Sequence, residues 1–236
     1  MKPLRICVLA PVNTDRYNHL LLEAISPVIP QDVVVEMRNL GSGHDCIQGR
    51  IDLIQNSYPV VEMARAIEGE GFDGIWLSDF DMCGVEAARE AIDIPIIGGF
   101  PTAAFTALGL CQRFSIVTIL QSTLAMQRGH VAEYGLAQGF ASIRAIDCPV
   151  AGLGDTDIVV ARTLEAALAA VRDDGAESIL LGCTGFVGVA GRVAVLLEEA
   201  LGAYVPVIDP NQAGFSFLVS LVRMGLRPSR RCYSRT

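Results

Sequence analysis

Short runs of apolar, often β-branched residues alternate along this chain with longer segments in which apolar residues recur every three or four positions. The first pattern is typical of buried strands and the second of amphipathic helices. Their alternation from end to end predicts an α/β fold with parallel sheets. The predicted strands are residues 6–10, 33–38, 74–78, 94–98, 114–119, 142–147, 178–182 and 205–208. The predicted helices include residues 60–68, 85–91, 123–134, 158–173, 188–201 and 212–224.

The two halves of this pattern resemble each other. Residues 5–9 (RICVL) are similar to 113–117 (RFSIV), 108 residues later, and 74–79 (GIWLSD) to 178–183 (SILLGC), 104 residues later. Two nearly equal offsets indicate a duplication, and a generic similarity between βα units is the alternative. On this superposition Asp79 and Cys183 occupy equivalent positions.

We therefore expect two similar Rossmann-like lobes, related by a pseudo-twofold axis. Residues 1–98 with 209–236 would form the N-terminal lobe and 99–208 the C-terminal lobe, and the helix predicted at 212–224 would complete the first. Ligands of parallel sheets bind beyond the carboxyl ends of the strands. An active site between the lobes would suit proton transfer on both faces of one carbon atom.

Composition excludes several classes of function. A net charge of −8 and a pI near 4.9 argue against nucleic-acid binding, and the one basic cluster, residues 227–235, is expected to be a solvated tail. No apolar run reaches the roughly 18 residues of a membrane span, and no signal peptide is apparent, so we expect a cytoplasmic protein that does not bind membranes. With 51% hydrophobic and only 19% charged residues, a homo-oligomer is expected.

The chain also lacks the residues that common cofactors need. Lys2 is the only lysine, so a pyridoxal-phosphate Schiff base is improbable, and no phosphate-binding glycine loop occurs. The three histidines lack zinc-ligand spacing. The seven cysteines are scattered without a CxxC pair, which predicts free thiols. We expect a small-molecule substrate, no cofactor and no metal.

Cys183 is the strongest chemical candidate, in the segment Leu-Gly-Cys-Thr-Gly that ends a predicted buried strand. Flanking glycines let the backbone turn sharply, and a following helix offers N–H donors that lower a thiol pKa or bind a carboxylate or enolate oxygen. A buried core cysteine is the alternative.

These segments together resemble the aspartate/glutamate/hydantoin racemase superfamily, and within it the hydantoin and allantoin racemase branch. The resemblance covers nearly the whole chain. Its segments are residues 11–14 (PVNT), 84–90 (GVEAARE), 94–98 (IPIIG), 114–118 (FSIVT), 174–179 (DGAESI), 181–185 (LGCTG) and 205–210 (VPVIDP). Their order makes the match specific.

The resemblance implies a cofactor-independent enzyme in which two strand-end cysteines face each other across a stereocentre. One removes the proton of a carbon acid and the other returns a proton to the opposite face. The residues implied in holding the substrate are Asn13, Thr14, Phe80, Thr118, Thr184 and Gly185.

The chain departs from that family at the first cysteine. Counted without gaps, the position falls on Asp79, and the nearest thiol, Cys83, lies four residues later. Asp79 is the predicted second acid/base, with Cys83 as the alternative. Asp81 is expected to be a solvated or capping residue. His44 is expected on a surface loop, with substrate contact as the lesser alternative.

The resulting hypothesis is a racemase or epimerase that acts on a hydantoin-like or amino-acid-derived carbon acid through Cys183 and Asp79. Three alternatives stay open. They are a one-thiol decarboxylase resembling arylmalonate decarboxylase, a cis–trans isomerase resembling maleate isomerase, and a non-catalytic small-molecule binding protein.

Overall fold

Strands and helices alternate throughout residues 3–235, the part of the chain that the computed structural model describes. Met1, Lys2 and Thr236, which belong to the predicted N-terminal lobe, lie outside the described residues. The strands are β1 Leu4–Ala10, β2 Val33–Asn39, β3 Gly74–Leu77, β4 Ile96–Ile97, β5 Phe114–Thr118, β6 Phe140–Ala145, β7 Ser178–Leu181 and β8 Val207–Ile208. The helices are α1 Asn18–Ile25, α2 Arg50–Gly69, α3 Val85–Ala91, α4 Gly99–Leu108, α5 Gln121–Glu133, α6 Thr156–Asp174, α7 Val189–Leu201 and α8 Pro210–Arg223.

The strands form two four-stranded parallel sheets, in the orders β2-β1-β3-β4 and β6-β5-β7-β8. The second order is the first repeated with the later strands. The register repeats too, because Ile6 lies opposite Gly74 in one sheet and Phe114 opposite Ser178 in the other. Both offsets are those found in the sequence, so the predicted α/β fold of two similar halves is confirmed.

The contacts divide the chain into two units. Unit 1 comprises Met1–Gly99 with Gly214–Thr236, and unit 2 is Phe100–Ala213. The second boundary lies five residues beyond the predicted end of the C-terminal lobe at 208. The first turn of α8 belongs to unit 2 because the Asn211 side chain is hydrogen-bonded to Thr184 in that unit.

Each sheet is covered by its own apolar core. In unit 1 the core joins Ile6, Val8 and Trp76 of the sheet to Phe215 and Leu218 of α8, all fully buried. The last helix, α8, thus contributes to the core of this unit. In unit 2 the core lies between β5, β7 and the inner faces of α6 and α7. Among the described helices, none is long and apolar enough to cross a membrane.

Helix α2 begins ten residues before the predicted start at residue 60 and continues through Pro59. Its first turns obscure the helical pattern, because Ile51, Ile54 and Tyr58 are more than 70% exposed whereas the polar Asn56 is fully buried. The pattern becomes regular only after Pro59. Strands β4 and β8 are shorter than predicted, since each follows a proline that has no N–H to donate to a ladder.

The basic tail is exposed at most of its positions, as expected, but its last residues also contact the rest of unit 1. Arg230 and Arg235 form ion pairs of 2.8 and 2.7 Å with Asp93, and the Tyr233 hydroxyl donates to Glu86 at 2.8 Å. Single exposed ion pairs stabilise little, but these contacts converge on α3 and the loop after it. The tail is thus attached to unit 1.

Candidate active site

The turns after β3 and β7 each carry one of the two predicted acid/base residues, at the same position in the turn. Asp79 and Cys183 are each the second residue beyond the strand. Five residues further, Gly84 (φ 68°, ψ 3°) and Gly188 (φ 72°, ψ 3°) begin α3 and α7 in the left-handed region. A side chain is disfavoured at such a φ, which explains the glycine in both turns. The positions and dihedral angles of the two turns agree. Asp79 and Cys183 therefore occupy equivalent positions in the two repeats, as the sequence predicts.

Cys183 is partly exposed at the carboxyl end of β7, where parallel sheets bind ligands. The N–H of Gly185 points to its sulfur, with an N···Sγ distance of 3.4 Å. A Cβ atom at residue 185 would lie 2.7 Å from the Leu153 side chain and 3.5 Å from the same sulfur. Glycine therefore lets the backbone approach the thiol, and an N–H donor beside sulfur favours the thiolate over the thiol.

Thr184 is held from behind by the start of α8. The buried Asn211 donates its side-chain N–H to the Thr184 carbonyl at 2.8 Å, and its own backbone N–H is donated to Asp209 Oδ1 at 2.8 Å. Burial raises the pKa of the Asp209 carboxyl to about 6, although the hydrogen bond from the Asn211 backbone N–H opposes the increase. Asp209 belongs to the matched segment 205–210, but the contact of Asn211 was not predicted because it depends on how β8 and β7 pair.

Thr118 has a structural role in the observed contacts. Its side chain is fully buried, and its hydroxyl lies 2.8 Å from that of Thr123 at the start of α5. Gln127, also fully buried on α5, donates to the carbonyl of Gly182 at 2.8 Å. These groups fix the ends of β5 and β7 from within unit 2. The contact between Thr118 and substrate implied by the family resemblance has no support in this arrangement.

Asp79 is nearly buried, with 9% of its surface exposed. Its Oδ2 atom accepts the Cys83 backbone N–H at 2.9 Å, and its carbonyl accepts the Gly99 N–H at 2.8 Å. The carboxylate thus closes its own turn ahead of α3. Phe80 beside it is 1% exposed.

Cys83 points away from the strand end and into α2. It is fully buried, and its thiol donates to the Leu53 carbonyl at 3.3 Å. Burial, together with the negative charge of Asp79, raises the pKa of the Cys83 thiol far above its ordinary value. A thiol so placed is a poor acid/base. Asp81, expected to be a solvated or capping residue, is buried with 7% exposed.

The loops after β1 and β2 meet at the same edge of the unit 1 sheet. Asn13 is exposed and donates its backbone N–H to the His44 carbonyl at 2.9 Å. The buried Asn56 joins the two loops, since its amide donates to the carbonyls of Pro11 and His44. The Thr14 carbonyl accepts from the Asn39 side chain. His44 is exposed in its loop, as expected, and its Nδ1 atom lies 3.3 Å from Asp52 Oδ1.

The comparisons with known proteins agree with this arrangement. The profile of the Asp/Glu/Hydantoin racemase family matches residues 6–218. A hydantoin racemase of Paenarthrobacter aurescens is 30% identical over 96% of this chain and 94% of its own length. The chain belongs to the Asp/Glu/hydantoin racemase family. It is therefore an enzyme, an isomerase of the racemase type.

Solved structures of the racemase fold extend the comparison. An allantoin racemase from Klebsiella pneumoniae is 30% identical and superposes with a TM-score of 0.91, covering 99% of this chain and 94% of the other. Arylmalonate decarboxylase is 22% identical with a TM-score of 0.63, covering 92% of each chain. The second similarity concerns the fold alone. Within residues 3–235, no three His, Cys, Asp or Glu side chains are grouped as metal ligands would be.

Proposed function

We propose that this racemase interconverts the enantiomers of a small carbon acid, hydantoin-like or amino-acid-derived, by proton transfer without a cofactor. The observation that carries the proposal is the Cys183 thiol at the carboxyl end of β7, with a glycine N–H directed at its sulfur. The acidic hydrogen of such a compound lies next to a carbonyl group, so its removal gives an enolate. A thiol acid/base has a pKa close enough to neutral to remove and return protons.

Asp79 is proposed as the second acid/base group. It occupies the position in its turn that Cys183 occupies in the other, and Cys83 is buried against α2. In one direction Cys183 removes the proton from the substrate carbon, and a protonated Asp79 gives a proton to the opposite face. In the reverse direction the roles exchange. Asn13, Thr14, Thr184 and Gly185 are the proposed substrate contacts, because they lie in the loops at the carboxyl ends of the strands.

The test uses a panel of single-enantiomer 5-substituted hydantoins and allantoin, incubated with the enzyme in deuterium oxide. We expect the optical rotation to decay to zero while deuterium replaces the hydrogen on the stereogenic carbon. The Cys183→Ala variant measures the spontaneous exchange of each compound. A panel on which enzyme and variant give equal rates would reject the proposal for these substrates.

A decarboxylase is the second candidate, favoured by one observation. Only one of the two equivalent strand-end positions carries a thiol, because Asp79 stands at the other. A single thiol can protonate the enolate left when carbon dioxide departs from a malonate. Release of carbon dioxide from a substituted malonate, absent with Cys183→Ala, would support this reaction, and its absence would leave racemisation as the activity to pursue.

The proposal also includes the quaternary structure and the location. We propose that the enzyme is a cytoplasmic homo-oligomer, because 51% of its residues are hydrophobic and only 19% are charged. Light scattering is expected to give a mass above that of the 25.2 kDa chain. A monomer at micromolar concentration would contradict the oligomer.

A further inference from the structure

Asn211 is linked to the sulfur of Cys183 through a single peptide group. Its side-chain amide donates to the Thr184 carbonyl at 2.8 Å. The Thr184 carbonyl and the Gly185 N–H belong to the same planar trans peptide and so point in opposite directions. The Gly185 N–H is the donor that lies 3.4 Å from Cys183 Sγ. The amide that holds one side of this peptide therefore sets the direction of the N–H on the other side.

We infer that Asn211 is a positioning residue for Cys183, which acts by fixing the Thr184–Gly185 peptide so that its N–H faces the sulfur. The inference rests on the proposed acid/base role of the thiol. Without the amide of Asn211 the peptide could rotate, because glycine at residue 185 adds no side chain that would restrain it. The thiolate would then lose a donor and become less stable relative to the thiol.

The surroundings of Asn211 keep its amide in place. The residue is 1% exposed at the first turn of α8, and its backbone N–H is bound by the Asp209 carboxylate at 2.8 Å. The Asp209 carbonyl accepts the Ala213 N–H, which continues the helix. Burial leaves this side chain few rotamers, so its hydrogen bond to Thr184 is preorganised.

The other repeat lacks this arrangement. Trp76 pairs with Ile97, and Leu180 with Ile208, so the residue equivalent to Asn211 is Phe100. Phenylalanine has no donor for a carbonyl. The turn of Asp79 is fixed by the Gly99 N–H and by its own carboxylate instead. The amide is thus present only in the repeat that carries a thiol, as expected of a residue that acts on sulfur.

The test measures the reactivity of Cys183 directly and needs no substrate. The full-length enzyme is alkylated with iodoacetamide between pH 5 and 10, and the modification of Cys183 is followed by peptide mass spectrometry. In Asn211→Leu the side chain keeps nearly its size but has no donor at any pH. We expect Cys183 to react about tenfold more slowly at pH 7, with the midpoint of its pH profile about one unit higher, as for the loss of a hydrogen bond to a charged group.

Asn56→Leu is the matched control, because Asn56 is an equally buried asparagine that donates to a main-chain carbonyl in unit 1. It is expected to leave the profile of Cys183 unchanged. Asn211→Ala, measured in parallel, should repeat the effect of Asn211→Leu. An unchanged midpoint in both folded Asn211 variants would overturn the inference. Loss of the folded state in both, followed by circular dichroism, would also contradict it, since the amide would then serve the whole unit and not the thiol.

A failure of the proposed racemase activity would look different. In that case no compound of the panel would be turned over, while the alkylation profiles would still separate Asn211→Leu from the wild-type enzyme.

Discussion

The turn after β3 and the turn after β7 share their backbone course and differ in how they are held. Each leads to a left-handed glycine, Gly84 or Gly188, that starts the next helix. In the first turn the carboxylate of Asp79 binds the Cys83 N–H of its own turn. In the second the thiol receives an N–H and the turn is tied to α8 from outside. A duplicated backbone can therefore keep its shape while its two chemical groups accept hydrogen bonds from different N–H groups of their turns.

The largest expected effect is on the second turn. Cys183→Ala should reduce turnover by about 10³-fold or more, because no other group at the end of β7 can take the proton. The free energy of unfolding should change by no more than about 1 kcal/mol, since the side chain is small and partly exposed. Turnover in the deuterium assay and urea unfolding check the two statements.

Cys111→Ala is the control for that variant. The Cys111 thiol contacts Ser178 at the opposite end of β7, with an Sγ···Oγ distance of 3.2 Å. The Cys111→Ala variant should keep the turnover of the wild-type enzyme. If Cys183→Ala retained turnover, both the proposed function and the comparison of the two turns would fail.

The first turn should respond differently. Asp79→Asn preserves an oxygen that can accept the Cys83 N–H but removes the acid/base group. We expect racemisation to fall by about 10²-fold or more, while slower deuterium exchange from the Cys183 side continues. The ratio of exchange to racemisation, measured by mass spectrometry and polarimetry on one sample, is the decisive quantity.

Two further variants sharpen this prediction. Cys83→Ala is expected to leave turnover near the wild-type value, because that thiol is buried against α2. Asp79→Cys should exceed Asp79→Asn in activity, since a thiol has an ordinary pKa near 8.5, closer to neutral than that of a carboxyl. Full activity in Asp79→Asn combined with loss in Cys83→Ala would make Cys83 the second base.

The two glycines offer a smaller effect, on stability. At either position alanine would occupy the left-handed region, at a cost of about 1 kcal/mol. At Gly84 the new Cβ would also lie 2.6 Å from the Ser57 carbonyl, whereas at Gly188 nothing lies within 4 Å. We expect Gly84→Ala to destabilise by about 3 kcal/mol and Gly188→Ala by about 1 kcal/mol in urea unfolding. Equal losses would mean that the turn and α2 separate at little cost.

The smallest effect concerns Asp209, whose equivalent in the other repeat is the uncharged Gly98. Because burial raises the pKa of Asp209 from 3.8 to about 6, ionisation opposes folding above pH 6, and this penalty fades as the pH falls towards 4. The stability of Asp209→Asn relative to the wild type should therefore be greater at pH 8 than at pH 4, by about 1 to 2 kcal/mol.

Asp174→Asn supplies a control of opposite sign. Its hydrogen bonds to Arg144 lower the pKa of the Asp174 carboxyl, so the native residue stabilises the fold above its ordinary pKa and loses that contribution in acid. The variant should be less stable than the wild type at pH 8 and approach it at low pH. If the two variants had the same pH dependence, the sign assigned to Asp209 would be wrong.

Much of the fold followed from the pattern of the sequence because it depends on local rules. The strands β5 and β7 are continuous apolar runs bounded by turns, and their offsets from β1 and β3 revealed the repeated topology. Helix α2 was truncated in the prediction, since Asn56 faces inward where an apolar residue would be expected. Its burial depends on carbonyls of two distant loops, which no local pattern contains.

The site could be predicted in part for the same reason. Cys183 and Asp79 follow directly from strand ends and from the repeat. The burial of Cys83 and Thr118 depends instead on neighbours in α2 and α5 that are distant in sequence or specific in rotamer. Asn211 could be recognised only after the pairing of β7 with β8 was known. Sequence patterns do not reveal contacts between residues that are brought together only by the pairing of strands.

The discontinuity of unit 1 constrains how the protein is made. Its core needs Phe215 and Leu218, and Trp76 lies so close to Gly214 that a Cβ there would be 2.0 Å from the indole ring. On a ribosome, the apolar face formed by Ile6, Val8 and Trp76 therefore lacks its contacts with Phe215 and Leu218 until those residues have been synthesised. Unit 2 is a continuous segment whose residues emerge earlier, so it can collapse first. The half of the enzyme that is translated first is the half that finishes folding last.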